Sequence, residues 1–289
     1  MNNVLSELSA VTTPTQFIDV GGRTLAYRRI GNGPPLVLCL RFRGVLDSWD
    51  PAFLDALAQD FTVITFDYSG LGQSTGTPSY RRESLAADAR DLCDALGLER
   101  IVVGGWSLGG LAAQVFITAN PDRASHAVLI GTGPPGEQSA QPEPIFFETA
   151  LKPVNSLDDE LVLFFEPSSP ISRAAGIASH TRIAARTSDR SPPIPEPTYL
   201  RLLQESNDPN AIFPDPTDVY RRFLERTSIP LLAICGDHDI VFPVENWYAL
   251  NRRWKSLSIV TFPQSGHGPQ HQFPELCTDL ITSFVANTE

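Results

Sequence analysis

Gly105-Trp106-Ser107-Leu108-Gly109 places a serine between glycines, after the apolar run Ile101-Val102-Val103 and at the start of an amphipathic segment, Leu108 to Ala119. A G-x-S-x-G pentapeptide between a strand and a helix is a nucleophile elbow. The turn is too tight for side chains beside the serine, so its hydroxyl stands clear above the sheet. Backbone N–H groups at the helix N-terminus also favour developing negative charge there. The chemistry of such a serine is attack on a carbonyl carbon. Its hydroxyl is a poor nucleophile at neutral pH, so it needs a neighbouring base, and that base needs an orienting acid.

Five histidines compete for the role of base: His126, His180, His238, His267 and His271. His267 lies in Gln264-Ser265-Gly266-His267-Gly268-Pro269, after an apolar run and before the last helical segment. That is a loop at the C-terminal edge of a strand, on the side of the sheet where Ser107 stands, and flanking glycines leave room for the imidazole to approach. His267 is therefore the expected base. His126 begins a strand and reads as structural, and His180 falls in a proline-rich region and reads as solvated or packed there. His271 follows His267 by four residues, but Gly268-Pro269 argues against one helix carrying both, so no metal site is expected. The acid comes from Gly236-Asp237-His238-Asp239. Asp237 is a natural turn residue whose carboxylate satisfies local N–H groups, whereas Asp239 lies further along, where it can turn towards the histidine loop. Asp239 is the expected acid, which gives the chain order Ser107, Asp239, His267.

The elements needed to position these groups are legible as alternating strands and helices. Phe17–Val20 and Leu25–Ile30 read as a hairpin around Gly21-Gly22. Leu36–Leu40 and Phe61–Phe66 read as strands buried on both faces, with a short helix over Pro51–Gln59 between them. Residues 80–97 place Leu85, Ala89, Leu92, Cys93 and Leu96 at helical spacing. After the elbow, His126–Ile130 reads as a strand. The texture then changes: 14 of the 25 prolines fall between Pro134 and Pro216. Two pieces there look helical, one around Leu161–Phe165 and one over Ser172–Arg186. Strand, helix and strand resume at Pro230–Cys235, Val244–Trp254 and Leu257–Phe262, and a last helix buries Leu276, Cys277, Leu280, Ile281, Phe284 and Val285. Residues 1–133 and 219–289 thus read as an α/β core with a mostly parallel central sheet covered by helices on both faces, and 134–218 as an inserted helical lid.

Length and composition fit this picture. The chain has 289 residues, 42% of them hydrophobic and 19% charged, as in an ordinary globular domain. A formal net charge of −11 argues against nucleic acid or an anionic membrane as partner. The four cysteines, Cys39, Cys93, Cys235 and Cys277, are far apart and read as buried free thiols. Met1–Glu7 lacks a basic region followed by an apolar core, and no apolar stretch is long enough to span a bilayer. A cytoplasmic protein with a small-molecule substrate and no cofactor is expected.

The chain resembles the α/β-hydrolase superfamily, in its lid-bearing group of epoxide hydrolases, haloalkane dehalogenases and small-molecule esterases. The motifs are Asp67-Tyr68-Ser69-Gly70-Leu71-Gly72-Gln73-Ser74 after the fourth strand, Gly105–Gly109, Gly236-x-x-Asp239 and Gly266-His267. Related epoxide hydrolases and dehalogenases carry aspartate where this chain has Ser107, so the resemblance implies an acyl-serine route. By position, the N–H groups of Phe42 and Leu108 would form the oxyanion hole. One departure stands out: the usual His-Gly after the third strand is replaced by Leu40-Arg41 in Cys39-Leu40-Arg41-Phe42-Arg43-Gly44. Arg41 and Arg43 are expected to pair with acids such as Asp47 or Asp50 and hold this loop; assistance to the oxyanion is the alternative. The activity implied is hydrolysis of a small, fairly apolar ester or lactone. The rivals are an amide, thioester or carbon–carbon bond, perhydrolysis, or a non-hydrolytic ligand-binding role. Trp106, beside the serine, is expected to pack against the site. Phe146, Phe147, Leu163, Phe164 and Phe165 are candidates for an apolar substrate wall or for docking the lid. Arg173, Arg182 and Arg186 are candidates for a substrate carboxylate or a solvated helix face.

Overall fold

A computed structural model describes residues 9–206 and 213–288. The Met1–Glu7 stretch considered above lies outside them. Eight strands form one sheet: β1 (Gln16–Asp19), β2 (Thr24–Ile30), β3 (Pro35–Cys39), β4 (Thr62–Phe66), β5 (Ile101–Trp106), β6 (Ala124–Ile130), β7 (Leu231–Gly236) and β8 (Leu257–Phe262). Their spatial order is β1-β2-β4-β3-β5-β6-β7-β8. The pairs β1–β2 and β2–β4 are antiparallel, and every other pair is parallel. The continuous apolar runs become the strands buried at every position, as in β4, β5 and β7. The edge strand β8 buries only Phe262. Parallel strands require crossovers that cover both faces, which is why the central runs need not alternate.

The crossovers are α1 (Pro51–Leu57), α2 (Arg82–Ala95) and α3 (Leu108–Ala119), and α11 (Pro274–Asn287) closes the chain. From β3 the chain steps to β4 on one side and then returns to β5 on the other. The strand order therefore reverses between the carboxyl ends of β3 and β5. An open parallel sheet has its ligand crevice at such a reversal, because the two connecting loops diverge there. Arg41-Phe42 and Ser107 occupy those two loops.

Between β6 and β7 lie α4 (Pro144–Ala150), α5 (Leu157–Phe164), α6 (Pro170–Ala184), α7 (Glu196–Ser206) and α8 (Val219–Arg226). Sequence reading anticipated α5 and α6 but missed α4, α7 and α8. Pro144 opens α4, Pro170 opens α6 and Pro197 lies in the first turn of α7. Proline fits a first turn, where its missing N–H would lack an intrahelical partner anyway. The helix expected over Val244–Trp254 shrinks to one turn, α9 (Glu245–Tyr248). Arg252 takes a left-handed φ of 70°, which no continuing α-helix allows. The four cysteines are buried free thiols, and burial pushes Cys39 and Cys93 up to about 12. Among the described residues no helix is long and apolar enough to cross a membrane.

Candidate active site

Ser107 sits between β5 and α3 with φ 59° and ψ −121°. A non-glycine residue held in so sparsely populated a region costs on the order of 1–3 kcal/mol, and it persists only where the surroundings fix it. Here its N–H donates to the Ile130 carbonyl at 2.9 Å, and its own carbonyl accepts from the Gly110 N–H and the Thr132 hydroxyl, both at 2.9 Å. The flanking glycines are sterically required. A Cβ on Gly105 would lie 2.1 Å from the Gly109 carbonyl oxygen, and one on Gly109 would lie 2.1 Å from that of Cys39. The elbow helix thus presses directly on the end of β3.

His267 follows β8 in a loop that leads into α10 (Pro269–Gln272). Its Nδ1 lies 2.9 and 3.0 Å from the two Asp239 carboxylate oxygens, with both side chains buried. With the carboxylate ionised, Nδ1–H donates and Nε2 is left as the basic atom. Asp239 is held in turn by the N–H groups of Val241 and Phe242, at 2.8 and 3.0 Å. Asp237 does something else. It bonds His238 Nδ1 at 2.6 Å, accepts the Ser265 N–H at 3.2 Å, and raises the His238 pKa.

Trp106 is fully buried behind the site and is not part of the cavity wall. Its indole N–H donates to the His267 carbonyl at 2.7 Å, so it fixes the histidine loop rather than touching substrate. His271, also buried, accepts the Asp50 N–H through Nε2 at 3.2 Å, and its ring lies 4.6 Å from that of Trp106. Burial, aided by the Arg41 and Arg182 charges and opposed by Asp50, pushes its pKa down to about 4. No cluster of metal-ligating side chains exists among the described residues.

The loop after β3 turns sharply, with the Gly44 N–H donating to the Arg41 carbonyl at 2.9 Å. The left-handed residue in this turn is Arg43, with φ 57°, so arginine in place of the usual glycine at position 41 demands no unusual dihedral. Tyr68 steadies the loop by donating its hydroxyl to the Leu40 carbonyl at 3.1 Å. Asp67 does so by accepting the Leu46 N–H at 2.7 Å. The N–H groups of Phe42 and Leu108 donate to no protein group among the hydrogen bonds of the described residues, as free oxyanion donors would.

The expected pairing of Arg41 and Arg43 with Asp47 or Asp50 is not what the structure shows. Asp47 is bound by Arg28 at 2.8 Å and approached by Arg186 at 3.4 Å, and Asp50 by Arg182 at 2.5 Å. Arg43 instead donates to the carbonyls of Ala150, Lys152 and Pro153 and lies 4.1 Å over the Tyr199 ring. The acids were already taken by arginines distant in sequence, which local reading could not see.

Ser107 opens into a cavity of about 160 Å³ walled mainly by Phe42, Leu111, Phe146, Phe147, Leu151 and Phe242. A side pocket of about 30 Å³ is bounded by Arg41, Phe42, Ser107, Phe146, Phe164 and His267. Phe42, Phe146, Phe147, Leu163 and Phe164 therefore reach the site. Phe165 does not: its backbone packs on Gly266, and its ring packs on Gly176. Arg182 and Arg186 bind core acids and carbonyls, and Arg173 lies exposed near Asp158. Sequence reading missed Phe242, whose ring stacks 5.8 Å from His267. Its place three residues after Asp239 was the available signal.

A family model for the alpha/beta hydrolase fold matches residues 34–274. The chain belongs to the α/β-hydrolase family. Consistent with this, the chain superposes with TM-score 0.81 on an alpha/beta hydrolase fold protein from Chitinophaga pinensis, at 27% identity, covering 97% of this chain and 100% of the other. It also superposes with TM-score 0.72 on an esterase from Rhodococcus sp., at 21% identity, covering 95% and 99% of the two chains, a likeness of fold alone. An uncharacterised protein of Mycobacterium tuberculosis is 29% identical over 96% of this chain and 83% of its own length.

Proposed function

We propose that this α/β-hydrolase is a serine hydrolase that cleaves a small, largely apolar carboxylic ester or lactone through an acyl-serine intermediate. The observation that carries the reading is a strained serine and a carboxylate-held histidine bounding one small cavity. In this mechanism His267 Nε2 takes the Ser107 proton as Oγ adds to the carbonyl carbon. Asp239 stabilises the imidazolium and keeps Nδ1 protonated. The Phe42 and Leu108 N–H groups hold the oxyanion; loss of one such donor costs roughly 3 kcal/mol of transition-state stabilisation. The imidazolium then gives its proton to the leaving alkoxide. Water, deprotonated by the same nitrogen, adds to the acyl carbon, and the acid leaves as Ser107 recovers its proton. The walls, apolar apart from Tyr80, Arg82, Ser107 and Ser206, favour a largely apolar substrate body on that side.

Intact-mass measurement after treatment with a fluorophosphonate tests this, with Ser107→Ala as control. One adduct on the native chain and none on the variant is the expected result, together with loss of ester turnover and nearly unchanged thermal stability. Turnover retained by Ser107→Ala removes Ser107 as nucleophile. A panel of ester, lactone, amide, thioester and diketone substrates then ranks the bond type.

A further inference from the structure

Arg41 is a feature of the site that ester hydrolysis of an apolar substrate leaves unexplained. Its guanidinium carbon lies 4.6 Å over the Phe164 ring and 5.2 Å over that of Trp106, in the corner made by two rings that meet edge to face with centroids 5.1 Å apart. Cation–π contact with both rings holds the guanidinium in that corner and restricts its orientation. One donor is used locally: Nη1 bonds the Phe42 carbonyl at 2.7 Å. Nε is cut off from solvent and has no hydrogen-bond partner. Among the described residues no carboxylate lies within ion-pair distance of Arg41. Glu160 is the nearest acid in electrostatic effect, and it is bonded to His180 at 2.7 Å. Burial pushes Arg41 down only to about 10, so it remains a cation at neutral pH.

Arg41 is partly withdrawn from water without a carboxylate partner, an arrangement that costs free energy and that natural sites keep where something offsets it. Arg41 bounds the same side pocket as Ser107 and His267. That pocket, at about 30 Å³, exceeds the roughly 10–15 Å³ needed for one water, so it has room for a group of carboxylate size. Arg43 also lines this pocket, but both of its terminal nitrogens donate to carbonyls of the α4–α5 connection.

We infer that Arg41 is the anion-recognising residue of this site, and that the substrate is an ester with a short arm ending in a carboxylate. That arm lies in the side pocket against the guanidinium, and the apolar arm fills the larger cavity. Ser107 stands at the junction of the two. A carboxylate there gains charge-assisted hydrogen bonds from a fork already held against two aromatic rings. It also neutralises a half-buried cation that has no carboxylate partner among the described residues. This inference rests on the serine-hydrolase reading for its reacting bond, but not for its binding step.

Two matched pairs of substrates test it: 4-nitrophenyl hydrogen glutarate against 4-nitrophenyl pentanoate, and carboxymethyl butanoate against propyl butanoate. The native chain is expected to show at least a tenfold higher kcat/KM for the acidic member of one pair. Arg41→Met is expected to lower that acidic-to-neutral ratio about 100-fold, with Arg41→Lys restoring part of it. Preference for the neutral member in both pairs, or a ratio unmoved by Arg41→Met, overturns the inference while leaving the serine chemistry standing. Thermal shift by glutarate against pentanoate, measured on the native chain, decides the binding step without turnover. No greater stabilisation by glutarate overturns the inference even if the variants fail to fold. Absence of both ester turnover and fluorophosphonate labelling, with glutarate still bound through Arg41, would instead overturn the serine-hydrolase reading.

Discussion

The two sides of the cavity are held by different forces. On the sheet side, Ser107, Asp239 and His267 hang from strand ends and are fixed by short bonds to main chain. Ser107 N–H reaches Ile130, Asp239 takes two N–H groups within three residues, and Trp106 pins the His267 carbonyl. On the helical side, Phe146 in α4 and Phe164 in α5 supply apolar wall, and long cationic side chains tie this layer down. Arg43 binds carbonyls between α4 and α5, and Arg182 in α6 forks onto Asp50 beside α1. Main-chain hydrogen bonds fix an atom to a few tenths of an ångström, which proton transfer requires. Arginine bridges tolerate more play, which suits a wall that only has to fit a substrate. In the proposed mechanism, geometry for the bond-breaking step and geometry for selection are thus built separately.

The largest expected effect breaks the sheet side alone. Asp239→Asn lets the side-chain amide stabilise the wrong imidazole tautomer and is expected to lower kcat about 10⁴-fold, while Asp237→Asn changes it only a few-fold. Steady-state kinetics on one chromogenic ester gives the ranking, and the reverse ranking would make Asp237 the acid.

The next effect concerns the seam between the two sides, where His271 is buried among Trp106, Asp50, Arg41 and Arg182. Its pKa falls from 6.5 to about 4 on folding. The unfolded chain therefore binds more protons across this interval, so stability is fully present above pH 6.5 and is lost as pH falls towards 4. The loss amounts to at most about 3 kcal/mol. Asp50 extends the loss to more acid pH: burial is the largest single influence and works to raise its carboxyl, but Arg182, His271 and the Ala52 N–H together outweigh it and hold the group below the usual range, so its share is lost only as pH falls below about 3.8. Denaturant melts at pH 7 and pH 4.5 should show the decline, and His271→Gln should flatten it; parallel curves would exclude His271 as the source.

The smallest effect sharpens the helical side. Arg182→Met leaves the buried Asp50 carboxylate with the Ala52 N–H but no cation. Since Arg182 is about a third exposed, the cost is discounted to about 1–2 kcal/mol. KM should rise several-fold while kcat falls little, as expected of a loosened wall. A kcat loss as large as that of Asp239→Asn would show that the two sides are not separately built.

Legibility followed the range of the interactions. Each sheet-side residue carried a signature within five or six positions of itself: glycines that a Cβ would drive into backbone, a strand before, a helix after. The sequence therefore specified the strand–helix rhythm, the elbow, and the candidates Ser107, Asp239 and His267. Proline is ambiguous where it opens helices, at Pro144 and Pro197, because the same residue stops one helix and starts the next. The arginines were the harder case. All that local reading could offer Arg41 was the nearby Asp47 and Asp50. Only tertiary structure revealed that Arg28 and Arg182, 19 residues before and 132 residues after those acids, had already claimed them. That left Arg41 against Trp106 and Phe164 with no carboxylate partner among the described residues. Backbone turns are set by neighbours in sequence, whereas the partner of a charge is set by whichever side chain the fold brings within about 3 Å.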